Sequence, residues 1–577
     1  MKKVLSFILL GAMLLTLIPM AVFADTASSV ENTFDPDKGE YGISTVADLL
    51  AFSQALVTKN NAFSGKTVYL NADIDMAGQT TWANCGFGGG TFDGRGHTIS
   101  NLDIGNLRGM FAWAHGEIKN FTLKDSVIGN NEKSANVGAI VAGNTNNRSA
   151  NLTISNVHVI NTNVSGKGGK VGGLIGNTQG SNAKTEITIE NCSFIGGKIN
   201  SKGADIGGIV GFATGIEKLT VKNCEVSSAE ISGTTTTKTK TTSVGGVLGR
   251  VNKSIDCTIE ACSVCNVTVT ANENGCGGLV GQAAPGGDTV SVTLKLLNCY
   301  VSGLILDGTG GGHKGGLVGR FGQGAKLEVT NCFASGSNRT TGGLIGWVNT
   351  GVSVTLTNVY SSMQPLNETQ KFAPILYVNT GSPVFTFTNV YASEKMDVSN
   401  GIIFNGSSNS ADTSKFTKVS NKTVEQVLSD LSGSAEETDT AMVGMLSSVL
   451  KKSVFSVGWQ NKDNGNGTYD YRLIFGLRNK DAVDPAVLGS IVKINNGEAQ
   501  KVDCKYAYTS LLGTNANDTV ETYQASDYGA DYLFVIVIHD VPETVESFDV
   551  ELTPYIGYSE DKLYCSDQET VTVKRTE

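Results

Sequence analysis

Proline and aromatic residues are scarce in this chain, with 9 prolines, 4 tryptophans and 7% aromatics among 577 residues. Charge is thin as well, at 17% of residues, and the balance is acidic at −10. An acidic surface repels phosphate backbones and anionic lipid, which argues against nucleic acid or a membrane surface as the main partner. The five histidines, His97, His115, His158, His313 and His539, show no pairing at metal-ligand spacing, and no His-Glu-x-x-His occurs. Gly310-x-Gly312-x-x-Gly315 matches a dinucleotide fingerprint but leads into a strand pattern instead of a helix, and Gly65-Lys66-Thr67 lacks the leading glycine of a phosphate loop. No cofactor is expected.

Long apolar runs are absent beyond the start. Residues 1–24 read as a secretory signal peptide: Lys2 and Lys3 form the basic start, Val4 to Ile18 the apolar stretch, and Val22-Phe23-Ala24 the small-residue cleavage site. Removing those two lysines and no acid takes the net charge from −10 to −12. No later segment is apolar for about 18 residues, so no membrane insertion of the mature chain is expected. The predicted location is secreted or extracellular, with association to the cell surface.

What is abundant is glycine, serine, threonine and asparagine, arranged with a period. One phrase occurs seven times: Val137-Gly-Ala-Ile-Val-Ala-Gly143, Val171-Gly-Gly-Leu-Ile-Gly176, Ile206-Gly-Gly-Ile-Val-Gly211, Val244-Gly-Gly-Val-Leu-Gly249, Cys276-Gly-Gly-Leu-Val-Gly281, Lys314-Gly-Gly-Leu-Val-Gly319 and Thr341-Gly-Gly-Leu-Ile-Gly346. Their first glycines stand 34, 35, 38, 32, 38 and 27 residues apart. Self-similarity at such a period marks a stacked-repeat protein. Regular Val, Ile and Leu give each repeat a face to bury, and a stack of short β-strands accommodates both them and the glycines. Each period is read as one coil holding the glycine strand, an asparagine strand and a third short strand.

The asparagine strand is the second phrase, as in Ile189-Glu-Asn-Cys192 and Val329-Thr-Asn-Cys332. Stacking the coils places Asn120, Asn156, Asn191, Asn223, Asn298, Asn331, Asn358 and Asn389 in a ladder of amides. Its one gap is Ala261, and Asn101 is its candidate first member. Cys192, Cys224, Cys262, Cys299 and Cys332 follow the ladder where other coils carry Val or Phe, so they are read as small buried apolar residues. Rungs about 4.8 Å apart would also permit vertical disulfides, and both thiol states stay open. Cys504 and Cys565 form the candidate bridge of the last domain.

The expected organisation is a signal peptide over 1–24, a linker over 25–40 and a helical N-terminal cap over 41–65. A parallel β-helix follows over 66–395, then a cap or linker with short helices over 396–452. Alternating strands from Tyr469–Phe475 to Thr570–Val573, separated by short turns, predict an antiparallel β-sandwich over 453–577.

Gly90-Thr-Phe-Asp-Gly-Arg-Gly-His-Thr-Ile-Ser-Asn-Leu102, preceded by Asp73-Ile-Asp75, resembles the opening coil of bacterial surface proteins with GLUG repeats, and the Gly-Gly-Leu-Val-Gly phrases resemble the repeat that names them. The resemblance covers about residues 41–395 and implies a right-handed parallel β-helix on an exported, adhesin-like protein. Some relatives join this helix to a metallopeptidase, an activity not carried over without its His-Glu-x-x-His. The segments Val457-Gly-Trp-Gln460, Asp531–Ile538 and Phe548–Tyr555 resemble immunoglobulin-like modules that end many secreted bacterial proteins.

The functional expectation is a non-catalytic binding protein whose partners are host or microbial glycans or surface proteins. The alternatives are a carbohydrate-active enzyme (a polysaccharide lyase or glycosidase) and a structural spacer. An enzyme of this class needs clustered carboxylates, yet only twelve Asp or Glu lie between Val137 and Ile345, scattered across the repeat. Asp73, Asp75 and Asp93 form the best carboxylate group. They are read as turn formers, with calcium as the alternative.

Overall fold

The computed structural model describes residues 34–574 except 36–38, 80, 133–135, 144–149, 179–183, 204, 234–241, 254, 272–274, 284–291, 309–312, 340–341, 367–371, 379–382, 397–401, 405–418, 484, 505–506 and 513–521. The expected signal peptide and most of the linker lie outside the described residues. Two units are distinct: one runs to Ala392 and includes Met396–Asn421, and the other holds Ser393–Lys395 and everything from Lys422.

The first unit is a stack of parallel strands. One coil shows the plan. Strand Glu186–Glu190 runs into Asn191, whose φ of 54° turns the chain, and Ser193–Ile195 follows. Gly196 and Gly197, at φ 68° and 74°, make the next corner before Lys198–Ser201. Strands Asp205–Gly207 and Val210–Ala213 then complete the circuit. Each segment pairs in parallel with its counterpart one period later, as Ile187 with Leu219 and Ile206 with Val244. Inward residues of this coil, among them Ile189, Cys192, Phe194, Ile199 and Val210, are fully buried, each contributing about 1.5–3 kcal/mol of apolar transfer.

The glycine phrase differs from the expected single strand. It breaks in two at its third residue, and its halves stack into separate parallel sheets of 6 and 9 strands among the described residues. The phrase glycines also serve another purpose than corners. Gly207, Gly208 and Gly211 do not have positive φ, but a Cβ on any of them would lie well under 3.0 Å from a backbone oxygen. The outer faces of the two half-strands therefore close on each other, backbone to backbone, into a narrow V that only glycine can line. The corners belong to asparagine: Asn120, Asn156, Asn191, Asn223, Asn298, Asn331, Asn358 and Asn389 all stand at φ between 50° and 58°. Asparagine tolerates the left-handed region better than other L-residues with a Cβ.

At the start of the stack, α1 (Val46–Thr58) is capped by a reciprocal pair, with the Asp48 amide donating to Thr45 Oγ1 and the Thr45 amide to the Asp48 carboxylate. Its Phe52 enters an aromatic cluster with Phe63 and Phe92, ring centroids 5.4 and 5.6 Å away. That packing covers apolar surface of the first coils which solvent would otherwise meet.

The second unit is antiparallel. Val454–Asp463, Thr468–Leu477 and Tyr532–Pro542 form one sheet, and Gln500–Asp503, Val487–Ile494, Ser547–Ser559, Lys562–Cys565 and Glu569–Lys574 form the other. Tyr471 of the first meets Phe548 of the second edge-on at 5.0 Å. The helices α2 (Val424–Leu431) and α3 (Glu437–Lys452), expected to close the solenoid, group with this unit, where α3 packs on Lys562–Cys565 and Val454–Asp463. Cys504 and Cys565 are free. Cys504 extends the edge strand Gln500–Asp503 while Cys565 ends Lys562–Cys565, and two strands lie between. That is a separation of about 14 Å, twice what a disulfide spans.

Candidate functional site

The asparagine ladder is joined by directional hydrogen bonds. Five amides donate Nδ2 to the Oδ1 of the coil before: Asn156 to Asn120 at 3.0 Å, Asn223 to Asn191 at 3.1 Å, Asn331 to Asn298 at 3.0 Å, Asn358 to Asn331 at 2.8 Å and Asn389 to Asn358 at 3.1 Å. Ala261 interrupts it while keeping the corner, at φ 51°. The first amides end on carboxylates, with Asn120 donating to Asp93 at 3.0 Å and Asn101 to Asp75 at 2.8 Å.

Those bonds account for the three candidate calcium carboxylates. Asp93 also accepts from the Arg95 amide at 3.0 Å, Asp75 from the Ala77 amide at 2.9 Å, and Asp73 from the Thr98 amide at 2.9 Å with His97 Nδ1 beside it. The Asn101 amide, with the Ala77 N–H, holds the Asp75 carboxyl below its usual range. Each carboxylate is committed to the next coil or its own turn. Among the described residues no three His, Cys, Asp or Glu side chains gather as a metal would require.

The five column cysteines Cys192, Cys224, Cys262, Cys299 and Cys332 are buried and free. Each Sγ donates to the carbonyl two residues before it and to one in the preceding coil; for Cys299 these are Leu297 at 3.3 Å and Ile259 at 3.4 Å. Burial pushes the Cys224, Cys262 and Cys332 thiols well above their ordinary range, so they are protonated and inert at neutral pH.

The arrangement with the most chemical potential stands at the mouth of the glycine V. The residues just after successive phrases align in register: Asn177 with Phe212, Phe212 with Arg250, Arg250 with Gln282, and Gln282 with Arg320. Trp347 holds the same place one coil on, with the Arg320 guanidinium 5.1 Å over its ring. Opposite runs a second column, the residues just before each phrase: Lys170, Asp205, Ser243, Gly275 and His313. The glycines between leave no side chain in the V; in the two columns Asn177, Asp205, Ser243 and Gln282 are buried, and Lys170, Phe212, Arg250, His313, Arg320 and Trp347 are half-buried.

They touch across it. Lys170 Nζ lies 5.3 Å over the Phe212 ring and the Arg250 guanidinium 5.7 Å from it. Ser243 Oγ donates to Gln282 Oε1 at 2.8 Å, and Lys170 pairs with Asp205 at 3.7 Å. Burial raises the Asp205 carboxyl despite Arg250 and Lys170. Burial, helped by Arg320 and Lys314, pushes His313 down to about 3, so its ring is neutral. Phe212, Arg250, Arg320 and Trp347 remain half-buried, open on one side. At about 4.8 Å per rung, the column from Asn177 to Trp347 spans about 24 Å.

None of these residues emerges from the repeated phrases, because the columns conserve position and not residue type. Aligning the phrases and reading the flanking positions downward would have found them.

No family model matches this chain. It is 33% identical over 162 residues to Halomucin of Haloquadratum walsbyi, a match to 24% of this chain and 2% of that protein's length. A Bacteroides ovatus protein described as a candidate immunoglobulin A1 protease is similar at TM-score 0.35 and 22% identity, covering 48% of this chain and 80% of that one. The enzymatically active domain of Bacteriophage CBA120 tailspike protein 4 gives a TM-score of 0.28 and 10% identity over 95% and 69%. Among the described residues no helix is long and apolar enough to cross a membrane. The chain is a mainly β protein of long parallel sheets followed by an antiparallel unit.

Proposed function

We propose that this chain is an exported, surface-associated, non-catalytic binding protein. Its stack is a right-handed β-helix of the GLUG-repeat kind, and its C-terminal unit is an immunoglobulin-like module. The single observation that carries the reading is the register-aligned strip from Phe212 to Trp347, in which Phe212, Arg250, Arg320 and Trp347 are half-buried on the stacked strands. A ligand that repeats along its length, a glycan or an extended protein segment, meets contacts at one regular spacing, rung after rung. The likeness to Halomucin supports a surface location. Along the strip Asp205 is the one carboxylate, and glycoside hydrolysis ordinarily needs two.

The test incubates purified mature protein with host and microbial polysaccharides and mucins, scoring retention and new chain ends together. Retention without cleavage is expected. New reducing or unsaturated ends would replace this reading with an enzymatic one, and the absence of any retention would leave a spacer.

A further inference from the structure

We infer that the strip selects acidic glycans, polysaccharides bearing carboxylates or sulfates; this rests on the proposed binding role and gives its ligand a chemical class. The chain as a whole is acidic, at −10. Even so, among the described residues of the two columns Lys170, Arg250 and Arg320 stand against one carboxylate, Asp205. Asp205 is 1% exposed and pairs with Lys170 at 3.7 Å, so the positive face of the strip is carried by Arg250 and Arg320.

How the cations are held matters more than their number. Phe212 carries Lys170 and Arg250 within 5.3 and 5.7 Å, and Trp347 carries Arg320 at 5.1 Å. A ring face holds a guanidinium through its quadrupole without using its in-plane N–H donors. Among the described residues Arg250 makes no ion pair, and its Nε has no hydrogen-bond acceptor. Guanidinium groups suit carboxylate and sulfate because two parallel N–H bonds match two oxygens.

Spacing narrows the class. Arg250 and Arg320 are separated by the Gln282 rung, about 9.6 Å apart along the stack. Duplex DNA presents a charge about every 1.7 Å, and its binders track it with dense cations. Three cations over about 24 Å suit a sparser polyanion, with an acidic group every sugar or two. Between them Gln282 is 4% exposed and accepts from the buried Ser243, so the rung separating the two guanidiniums is neutral.

The experiment is affinity electrophoresis of the full mature chain through polygalacturonate (carboxylate), chondroitin sulfate (carboxylate and sulfate), neutral galactan and poly(dT), with R250Q, R320Q and the double variant alongside. The parent is expected to be retarded by the acidic glycans, with retardation falling as salt rises from about 50 to 500 mM. Each single variant should lose about tenfold in affinity and the double about a hundredfold, with galactan mobility unchanged. Circular dichroism and the salt series on the parent keep the test valid if a variant folds poorly. Acidic-glycan affinity insensitive to salt and to both substitutions overturns the inference. So does retardation by poly(dT) equal to that by acidic glycan. Retention by galactan alone overturns the inference and leaves the binding role standing, whereas retention by no glycan removes glycan binding altogether.

Discussion

Replacing Ala261 by asparagine should stabilise the stack. Ala261 occupies a ladder corner at φ 51°, where an L-residue with a plain Cβ carries roughly 1–2 kcal/mol of strain that asparagine largely avoids. Its backbone is already held as at other corners, its amide donating to Leu297 O at 2.8 Å as Asn298 donates to Thr330 O at 2.9 Å. A new amide at 261 would donate to Asn223 and accept from Asn298, continuing the bonds seen from Asn223 to Asn191 and from Asn331 to Asn298. These part-exposed bonds contribute about 0.5–1 kcal/mol each, offset by about 1 kcal/mol for ordering the side chain. The net expected for A261N is about 1–2 kcal/mol. For a unit of several hundred residues that raises Tm by roughly 1–2 °C. Thermal unfolding followed by far-UV circular dichroism, with urea midpoints at unchanged slope, would measure it. A261G relieves the strain but costs chain entropy and adds no bonds, so it should stay near neutral. An A261N protein with parental or lower Tm would refute the reasoning.

Other expectations follow from the same geometry. G208A places a Cβ against the Gly246 carbonyl oxygen and should cost about 3 kcal/mol or more, whereas G168A meets nothing within 4 Å and should change stability by under about 0.5 kcal/mol; chemical denaturation compares them. Burial raises Cys85 and Cys276 to about 12 from an ordinary 9.0. Because the folded pKa is the higher, that stability is complete below pH 9 and is lost as pH rises from 9 to 12, which melting curves across that range would register. Alkylation of the native protein at pH 8 followed by peptide mass mapping should label Cys265 and Cys565, both partly exposed, before any column cysteine; equal labelling of Cys224 or Cys262 would contradict their burial. In the second unit the Asn464 side chain, the Asp540 amide and His539 lower Asp470 to about 2. The unit should lose stability as pH falls from about 4 to 2, and D470N should flatten that slope.

The coil was legible because its period is carried by residues under strong constraint. Asparagine is repeated where φ is positive, and Val, Ile, Leu or Cys is repeated where nothing else fits inside. The division of the glycine phrase was not legible, since Gly-Gly reads equally as a bend or as a strand crowded by its neighbour. The strip was missed for a related reason. Tryptophan does not recur with the period, although the position of Trp347 does, filled by Phe212, Arg250, Gln282 and Arg320 in turn. An outward position on a solenoid is free to vary, so its pattern lies in register and not in identity. In the second unit, Val454–Asp463 does not read as a strand by alternation, because a bulge between Ser456 and Gly458 breaks it; only Val457–Gln460 within it is marked, by resemblance.

The central claim is that ligand lies across the mouth of the glycine V, on the half-buried side chains that flank it. Hydrogen–deuterium exchange of the mature chain, with and without an oligosaccharide from any retained glycan, tests it directly. The account predicts added protection in the peptides around 205–213, 243–251, 275–283, 313–321 and 342–348, in step with the repeat, and little elsewhere. Protection confined to the C-terminal unit or to the asparagine corners, with none along the V, would contradict it.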